Sequence, residues 1–485
     1  MTANTGLQKK EMLKTQSKVR RRRLDLIQLP FARFFLTNRW PQLMLRTIAL
    51  AGFVLAILTG LIGTPIGSRN FSIVFVWIAW WALLMLVAVP LFGRGWCSIC
   101  PIPMPGEWIQ QGALLDPQTG GHSLSKRWPK KLRNIWLQNG AFALVALFSS
   151  VVLTSPQVSA IVLALFLFIG IGASLIYERR AFCRYLCPVG GFIGLYSQLA
   201  PVELRVKNTS VCAAHTEKTC YTGSSAGYGC PWQVYPGGLV KNTYCGMCME
   251  CLRTCPHSNI AINLRAPGSD LLHPSGRKLD EAFKAFIMLG SAIVYSAVML
   301  GPWGILKSAA YQVGSLPWLV YAFGFLTFVF GLLPGLFYLA VKSGQAVGGQ
   351  QKDPRSTAKS KSGFSKKAFV ALAYTLVPLG LAAWIAFSLA FVFPNLSYIW
   401  PALSDPFGWG WNLFGTAHLD WTPYFTQVVP LFQVIVLLGG LFWASRTAFQ
   451  IASQIAPAGA ANRQALPVLA FCLFVTAGLL GLLIA

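Results

Sequence analysis

The sequence predicts a polytopic all-α membrane protein in which two membrane halves flank a polar, cysteine-rich domain. Of its 485 residues, 55% are hydrophobic and only 11% are charged. That balance does not suit the water-exposed surface of a soluble enzyme. Several nearly uncharged apolar runs also approach or exceed the roughly 18–20 residues with which a helix crosses a bilayer. We therefore expect about nine transmembrane helices.

Four of the apolar runs precede the cysteine-rich domain and five follow it. They lie near residues 45–66, 71–92, 137–155, 158–177, 283–302, 316–341, 368–393, 425–445 and 465–485. The predicted domains are a basic N-terminal segment 1–44, a four-helix membrane half 45–200, the cysteine-rich domain 201–281 and a five-helix membrane half 282–485.

The charge distribution predicts the orientation of these runs. The formal net charge is +26, from 40 Lys and Arg against 14 Asp and Glu. In a soluble domain this excess would suggest nucleic-acid binding, but here the basic residues lie mostly before and between the apolar runs, so no nucleic-acid partner is expected. Basic residues are enriched in segment 1–44, in the connection 93–134 and in the Lys-rich loop 342–367. By the positive-inside rule these segments are cytoplasmic.

The same rule places the cysteine-rich domain on the cytoplasmic side of a bacterial inner membrane and the C-terminus in the periplasm. A cleaved signal peptide is not expected. The first apolar run begins far from residue 1, is long enough to span a membrane and lacks a small-residue cleavage site at its end.

The cysteines point to metal chemistry. Eleven of the 12 lie between Cys97 and Cys255, many of them in the short spacings of metal and cluster ligands. Cys472 stands apart in an apolar run and is predicted to be a packing residue. No C-x-x-C-H string is present, and no histidine lies inside an apolar run, so no haem is expected. The five histidines are His122, His215, His257, His273 and His418.

The strongest motif is Cys245-x2-Cys248-x2-Cys251-x3-Cys255-Pro256. This is the bacterial ferredoxin run, in which three closely spaced thiolates hold one [4Fe–4S] cubane and the fourth reaches a neighbouring cluster. A zinc site is the competing interpretation, but zinc usually takes separated pairs of ligands. The run therefore favours a ferredoxin-like domain with two [4Fe–4S] clusters.

A second ferredoxin motif lies upstream, with one cysteine fewer. It consists of Cys212, Cys220 and Cys230-Pro231, and His215 occupies the place where C-x-x-C would put a second cysteine. Imidazole can ligate iron in iron–sulfur proteins; the alternative is a solvated loop histidine. The predicted ligand sets are Cys245, Cys248, Cys251 and Cys230 for one cluster, and Cys212, His215, Cys220 and Cys255 for the other.

Two more cysteine pairs follow the second and fourth apolar runs, where the chain leaves the membrane. They are Cys97-x2-Cys100-Pro101 and Cys183-x3-Cys187-Pro188. Four thiols that converge at the membrane surface can hold a third [4Fe–4S] cluster, form a redox-active dithiol or bind a soft metal such as Cu(I). A third cluster is favoured, since eleven cysteines and His215 then provide four ligands for each of three clusters.

The connection 394–424 has no Lys or Arg and contains four tryptophans, which is typical of an outward-facing segment at the lipid headgroups. It also contains His418 and Asp420. These two side chains are candidate proton acceptors of a quinol site, although isolated polar loop residues are not specific for such a site.

The paired membrane-exit motifs and the double ferredoxin motif resemble the membrane-bound ferredoxin-type proteins of the NapH/NosR kind, over roughly residues 45–265. The resemblance implies a quinol dehydrogenase-type subunit of a respiratory complex, which passes electrons between the quinone pool and a redox partner. The motifs are also similar to those of ferredoxin-type copper-handling proteins of oxidase assembly, which implies the alternative of a copper reductase or assembly factor. A third hypothesis is a redox-sensing membrane scaffold.

Overall fold

A computed structural model describes residues 24–112, 121–347, 359–456 and 459–484 of the protein. Most of the basic N-terminal segment, residues 1–23, lies outside the described residues, as does the middle of the Lys-rich loop, residues 348–358.

Within the described ranges, eight helices are long and apolar enough to cross a membrane. They are Arg39–Ile62, Phe71–Ile99, Pro156–Ile176, Leu279–Leu300, Leu316–Val347, Lys366–Ser404, Val429–Ile455 and Ala461–Ile484. Each coincides with one of the apolar runs of the sequence.

The remaining apolar run, residues 137–155, forms two shorter helices. Trp136–Leu147 has 12 residues and Ser149–Val152 has four. The backbone leaves the helical conformation at Phe148 (φ −94°, ψ 10°). Pro156 then starts the next span, in keeping with the preference of proline for the first turn of a helix. Eight long helices and one shorter helix thus take the place of the nine predicted spans in the described chain.

Helices that precede and follow the cysteine-rich domain pack against the helix Lys366–Ser404. Its Trp384, only 1% exposed, donates from the indole N–H to the carbonyl of Met288 at 2.9 Å. Ser388 accepts a hydrogen bond of 3.0 Å from the indole of Trp81, which belongs to the second span. These contacts join the central helix to spans on both sides of the cysteine-rich domain. Buried indoles find such partners because an unsatisfied N–H in an apolar core is costly.

The cysteine-rich domain contains a small antiparallel sheet. Its strands are β1 (Leu24–Asp25), β2 (Val202–Val206) and β3 (Ile260–Leu264), in the order β1-β3-β2. In the β2–β3 register, Val202 pairs with Leu264 and Val206 pairs with Ile260. Residues 24–25 belong to the predicted basic N-terminal segment 1–44, but they add a strand to this sheet. The helix Pro30–Thr37 then connects the sheet to the first span.

Short helices support the cysteine loops between these strands and next to the spans. They are Met104–Gln111, Pro188–Tyr196, Thr209–Ala214, Thr219–Thr222 and Glu250–Thr254. On the other side of the molecule, Gly304–Tyr311 follows the fourth span.

Hydrogen bonds between loops show which helix ends lie together. Gln454, at the end of Val429–Ile455, donates to the carbonyl of Leu272 in the cysteine-rich domain at 2.8 Å. At the other end of the spans, the N–H of Thr64 donates to the carbonyl of Phe407 at 2.7 Å. The loop after residue 404 therefore lies beside the turn between the first two spans, on the side opposite the cysteines.

Candidate iron–sulfur sites

The four membrane-exit cysteines come together in one place, which we call the membrane-exit site. Its members are Cys97, Cys100, Cys183 and Cys187. Burial, together with the neighbouring thiols Cys97 and Cys187, raises the pKa of Cys100 to about 12. Burial and the neighbouring Cys187 also raise the pKa of Cys183 well above its usual value. Two segments that are distant in sequence thus place their thiols within electrostatic reach of one another.

The local structure around Cys187 suits a thiolate. The helix Pro188–Tyr196 begins directly after this residue, and the Cys187 sulfur accepts a hydrogen bond of 3.2 Å from the N–H of Gly190. Backbone N–H groups and the positive end of a helix stabilise negative charge at this position. Burial nevertheless raises the pKa of Cys187 to about 11. A reactive dithiol would instead need an accessible thiol of lowered pKa.

The second group of cysteines, the proximal site, consists of Cys230, Cys245, Cys248 and Cys251. Burial raises the pKa of Cys248, and the adjacent Cys230 raises it further. Burial also raises the pKa of Cys251, with contributions from Cys248, Cys245 and Cys230. These are the four cysteines that the sequence assigned to one cluster.

Left-handed backbone at two methionines curls the chain of the proximal site. Met247 has φ 49° and Met249 has φ 64°, one on each side of Cys248. Non-glycine residues adopt this conformation rarely, and it reverses the direction of the chain within a few residues. Both methionine side chains are buried together with Cys251 in the apolar cluster under the sheet. The strained loop is therefore held in place by packing.

The third group, the distal site, contains Cys212, Cys220 and Cys255. Burial, together with the thiols of Cys255 and Cys212, raises the pKa of Cys220 to about 11. Asn259 joins the other two cysteines, since its side-chain amide donates to the sulfur of Cys212 at 3.2 Å and its backbone N–H donates to the sulfur of Cys255 at 3.4 Å. Hydrogen bonds to sulfur are one of the means by which proteins tune cluster potentials.

His215 lies at the end of the helix Thr209–Ala214, which carries Cys212. Its ring Nδ1 is 2.7 Å from the carbonyl oxygen of Val211. A carbonyl only accepts, so Nδ1 is the donor here, and in a neutral ring Nε2 would then hold the lone pair that a metal ligand needs. The ring centroid lies 4.8 Å from that of His257. The ligand role of His215 stays a prediction.

The membrane-exit and proximal sites each offer four cysteines, a donor set that suits a [4Fe–4S] cluster, and the distal site offers three cysteines with His215 nearby. Among the described residues, no three His, Cys, Asp or Glu side chains are spaced to hold a single metal ion. A [4Fe–4S] cubane presents a separate iron to each of its ligands, so those ligands surround it and do not meet at one point. The sulfur–N–H hydrogen bonds described above are of the kind that supports bound clusters.

Two buried arginines lie between the membrane-exit and proximal sites. Arg94 is 3% exposed, donates to the carbonyl of Gly190 at 2.9 Å and stacks 4.2 Å from the ring centre of Trp232. Burial raises the pKa of both Cys187 and Cys245, and in each case the charge of Arg94 opposes the increase. Arg94 is therefore within electrostatic reach of both sites.

Arg180 also lies within electrostatic reach of both the membrane-exit and the proximal site. It is 5% exposed, and it donates to the carbonyl of Cys97 at 3.0 Å. Burial raises the pKa of Cys183 and of Cys248, and the positive charge of Arg180 partly offsets both increases. Glu107 binds both Arg180 and Arg46 as a buried ion pair.

The position of these two arginines was not predicted, because basic residues at membrane exits are expected for topology alone. A repeated spacing could have shown it. Arg94 lies three residues before Cys97, and Arg180 lies three residues before Cys183. Each membrane-exit motif therefore begins with an arginine at the same distance from its first cysteine.

The structure does not bring the other candidate residues to these sites. His418 and Asp420 are exposed in the loop that packs beside Thr64, at the opposite end of the spans. Cys472 is fully buried in the last span, Ala461–Ile484.

A family described as "4Fe-4S binding domain" matches residues 73–131 and 159–207. These two segments contain all four cysteines of the membrane-exit site, and they end before Cys212, the first cysteine of the distal site. The matched region is thus the first membrane half, where the two exit motifs lie.

Two curated relatives are similar to part of the chain. The putative electron transport protein YccM of Escherichia coli is 29% identical over 98 residues, which are 20% of this chain and 25% of the relative. The methylamine utilization ferredoxin-type protein MauN of Paracoccus denitrificans is 28% identical over 135 residues, which are 25% of this chain and 44% of the relative. The chain thus spans less than half the length of either relative.

No solved structure matches the chain. The matches nevertheless confirm the resemblance that the motifs predicted. Part of the chain matches a 4Fe-4S binding domain, its described residues include apolar helices long enough to span a membrane, and it is similar in part to an electron transport protein and a ferredoxin-type protein.

Proposed function

We propose that this protein passes electrons between the quinone pool and a respiratory redox partner through three [4Fe–4S] clusters, as a quinol dehydrogenase-type subunit. The main support for this proposal is the arrangement of cysteines at the membrane-exit site. Its two cysteine pairs come from separate spans and meet at one end of the molecule. Both pairs also fall within the 4Fe-4S binding domain match, which favours a cluster over copper or a dithiol.

The proposed ligands follow the three groups of cysteines. The membrane-exit cluster has Cys97, Cys100, Cys183 and Cys187; the proximal cluster has Cys230, Cys245, Cys248 and Cys251; the distal cluster has Cys212, His215, Cys220 and Cys255. When bound, the clusters would supply one-electron redox chemistry. The protein excludes water from them by burial and places Arg94 and Arg180 near the first two.

The packing supports a linear order of the three clusters. Arg94 and Arg180 connect the membrane-exit and proximal sites. Cys220 of the distal site and Cys251 of the proximal site belong to one apolar cluster. The proximal site therefore lies between the other two, and electrons would travel between the membrane surface and the polar domain.

Electron donation by quinol tests the proposal. The purified protein would be placed in liposomes, and a reduced quinone would be added without oxygen. We expect bleaching of the visible iron–sulfur absorption and the appearance of reduced-cluster EPR signals. A matched sample with the oxidised quinone should show neither change. If the clusters stay oxidised with every quinol whose potential is lower than theirs, quinol is not the electron donor. Electron transfer would then involve soluble partners.

Quinol oxidation also releases protons, and His418 and Asp420 remain the proposed acceptors. Both are exposed at the end opposite the clusters. In the liposome assay, replacing His418 by Gln and Asp420 by Asn together should slow cluster reduction if they accept these protons. An unchanged rate would remove both residues from the proposal.

We also propose that the cysteine-rich domain faces the cytoplasm, as the basic segments predict. Ser275 is exposed in that domain, and Thr422 is exposed in the loop at the opposite end. A membrane-impermeant thiol reagent added to spheroplasts should therefore label Thr422→Cys. It should label Ser275→Cys only after the membrane is opened, and the reverse pattern would invert the orientation.

The role of His215 can be tested by changing it to cysteine. If its imidazole ligates the distal cluster, the thiolate in His215→Cys adds negative charge, and the midpoint potential of that cluster should fall. Redox titration followed by EPR measures the change. His257→Gln is the matched control, since His257 is the exposed neighbouring ring. A distal-cluster potential that hardly moves in His215→Cys would make His215 a bystander.

A further inference from the structure

A buried lysine lies next to the membrane-exit site, on a span that carries none of its cysteines. Lys284 belongs to the span Leu279–Leu300 and is 0% exposed. Its ammonium donates to the carbonyl of Gln138 at 3.2 Å and lies 5.5 Å from the ring centre of Phe142. An ammonium group in apolar surroundings is costly unless opposite charge lies nearby.

The nearby carboxylates do not form an ion pair with this lysine. Among the ion pairs of the described residues, none includes Lys284. Asp280, one turn earlier, accepts hydrogen bonds of 3.0 Å from the N–H groups of Ile135 and Glu281. Glu281 accepts from the hydroxyls of Tyr244 and Tyr374, at 2.6 Å and 2.5 Å. Both carboxylates are therefore engaged by other groups.

The ammonium instead lies beside the helix that follows Cys187 and is linked to Cys183 through Gln138. Gln138, whose carbonyl it binds, donates from its side chain to the carbonyl of Cys183 at 3.1 Å. Gly191 lies in the first turns of the helix that follows Cys187, and a methyl group at this glycine would lie 2.7 Å from the lysine nitrogen. Glycine at residue 191 therefore makes room for the ammonium beside the membrane-exit site.

We propose that Lys284 is the counter-cation of the membrane-exit cluster and raises its reduction potential. The inference rests on the proposed function, because it requires a cluster at these four cysteines. Four thiolates give such a cluster net negative charge, and reduction adds one more electron. A cation held nearby in a medium of low dielectric constant favours the reduced form.

Lys284 differs in this respect from the two arginines. Arg94 and Arg180 lie between the membrane-exit and proximal sites and act on both clusters. Lys284 contacts Gln138 and Gly191, which adjoin the membrane-exit cysteines, and among the described residues it makes no such contact with a cysteine segment of the proximal site. It therefore changes the difference between the two potentials, and this difference sets how electrons distribute between the two clusters.

The variant Lys284→Met tests the proposal in the full-length holoprotein, because methionine keeps much of the apolar stem and removes the charge. At a fixed ambient potential, EPR should show that the reduced-to-oxidised ratio of the membrane-exit cluster is about tenfold lower than in the unmodified protein. That drop is about 59 mV for a one-electron couple. The proximal cluster should shift less. Lys342→Met, at an exposed lysine of another span, should change neither potential.

A second variant keeps the test decisive if Lys284→Met folds poorly. Gly191→Ala retains the lysine but displaces its ammonium, so it should lower the same potential. Gly331→Ala is the control, since a methyl there meets no atom within 4 Å. The role of Lys284 would be overturned if Lys284→Met or Gly191→Ala kept its full iron content and the reduction potential of its membrane-exit cluster did not change. If instead the unmodified protein contained no cluster at the membrane-exit site, the proposed function would be overturned.

Discussion

Cys187→Ala is expected to remove about four iron atoms from each chain, together with the EPR signal of one cluster. Cys187 is one of four cysteines that meet at the membrane-exit site, and its sulfur is already oriented by the N–H of Gly190. A cubane that loses one of its four protein ligands is expected to be unstable in a buried site, where water has little access to replace the thiolate. Iron and acid-labile sulfide analysis of the purified variant measures the loss.

The matched control for this prediction is Cys472→Ala. Cys472 is also fully buried in a membrane half, but it belongs to none of the three cysteine groups. Its replacement should leave iron content unchanged. The signals of the proximal and distal clusters should persist in Cys187→Ala, because their ligands lie in the polar domain. Iron content that stays at the unmodified level in Cys187→Ala would favour the copper or dithiol alternative.

Glu107→Gln is expected to lower the free energy of unfolding by about 3–5 kcal/mol, the usual effect of removing one partner from a buried ion pair. Glu107 is 5% exposed and pairs with Arg46 and Arg180. The amide would leave two arginines without their counter-charge, one of them beside the membrane-exit site. Thermal unfolding of the protein in mild detergent, followed by circular dichroism, measures the change.

The pKa of Glu107 gives this prediction a second readout. Burial alone would raise it, but Arg180 and Arg46 outweigh burial and lower it from its ordinary 4.5 to about 2. The ionised carboxylate therefore contributes roughly 3 kcal/mol above pH 4.5, and this contribution is lost as the pH falls toward 2. Glu107→Gln should lose that part of the acid dependence.

An exposed glutamate provides the control for Glu107. Glu217, in the cysteine-rich domain, is exposed to solvent, and Glu217→Gln should change stability by less than about 0.5 kcal/mol. If Glu107→Gln were equally mild, the ion pair would not hold the two membrane-exit segments together.

The cysteine spacings indicated which cysteines lie near one another, because a cluster motif is local in sequence. Cys245, Cys248 and Cys251 lie together with Cys230, and Cys212 and Cys220 lie near Cys255, as the double ferredoxin motif indicated. The structure thus brings these groups together, while ligation itself remains a prediction.

The charged groups around the cysteines could not be predicted in the same way. Arg94 and Arg180 lie beside membrane exits, where basic residues are expected for topology alone. Lys284 lies near the start of an apolar run, and its burial depends on Gln138 and Gly191 from other helices. Composition and periodicity describe one segment at a time, so they carry no information about such tertiary partners.

The fold departs from the sequence prediction where short-range signals compete with hydropathy. The run 137–155 is apolar enough for a span, but the helix breaks at Phe148, and Pro156 begins a new one. The two-residue strand Leu24–Asp25 has no periodic pattern of its own, and it forms by pairing with Leu264 and Asn263. Pairing with distant residues cannot be inferred from so short a segment.

The metal and sulfide content of the anaerobically purified protein is the most direct test of the three proposed [4Fe–4S] clusters. Three clusters require about twelve iron atoms and about twelve acid-labile sulfides per chain, and we expect no stoichiometric copper or zinc. About eight of each, together with copper or with four titratable thiols at the membrane-exit site, would contradict the proposal.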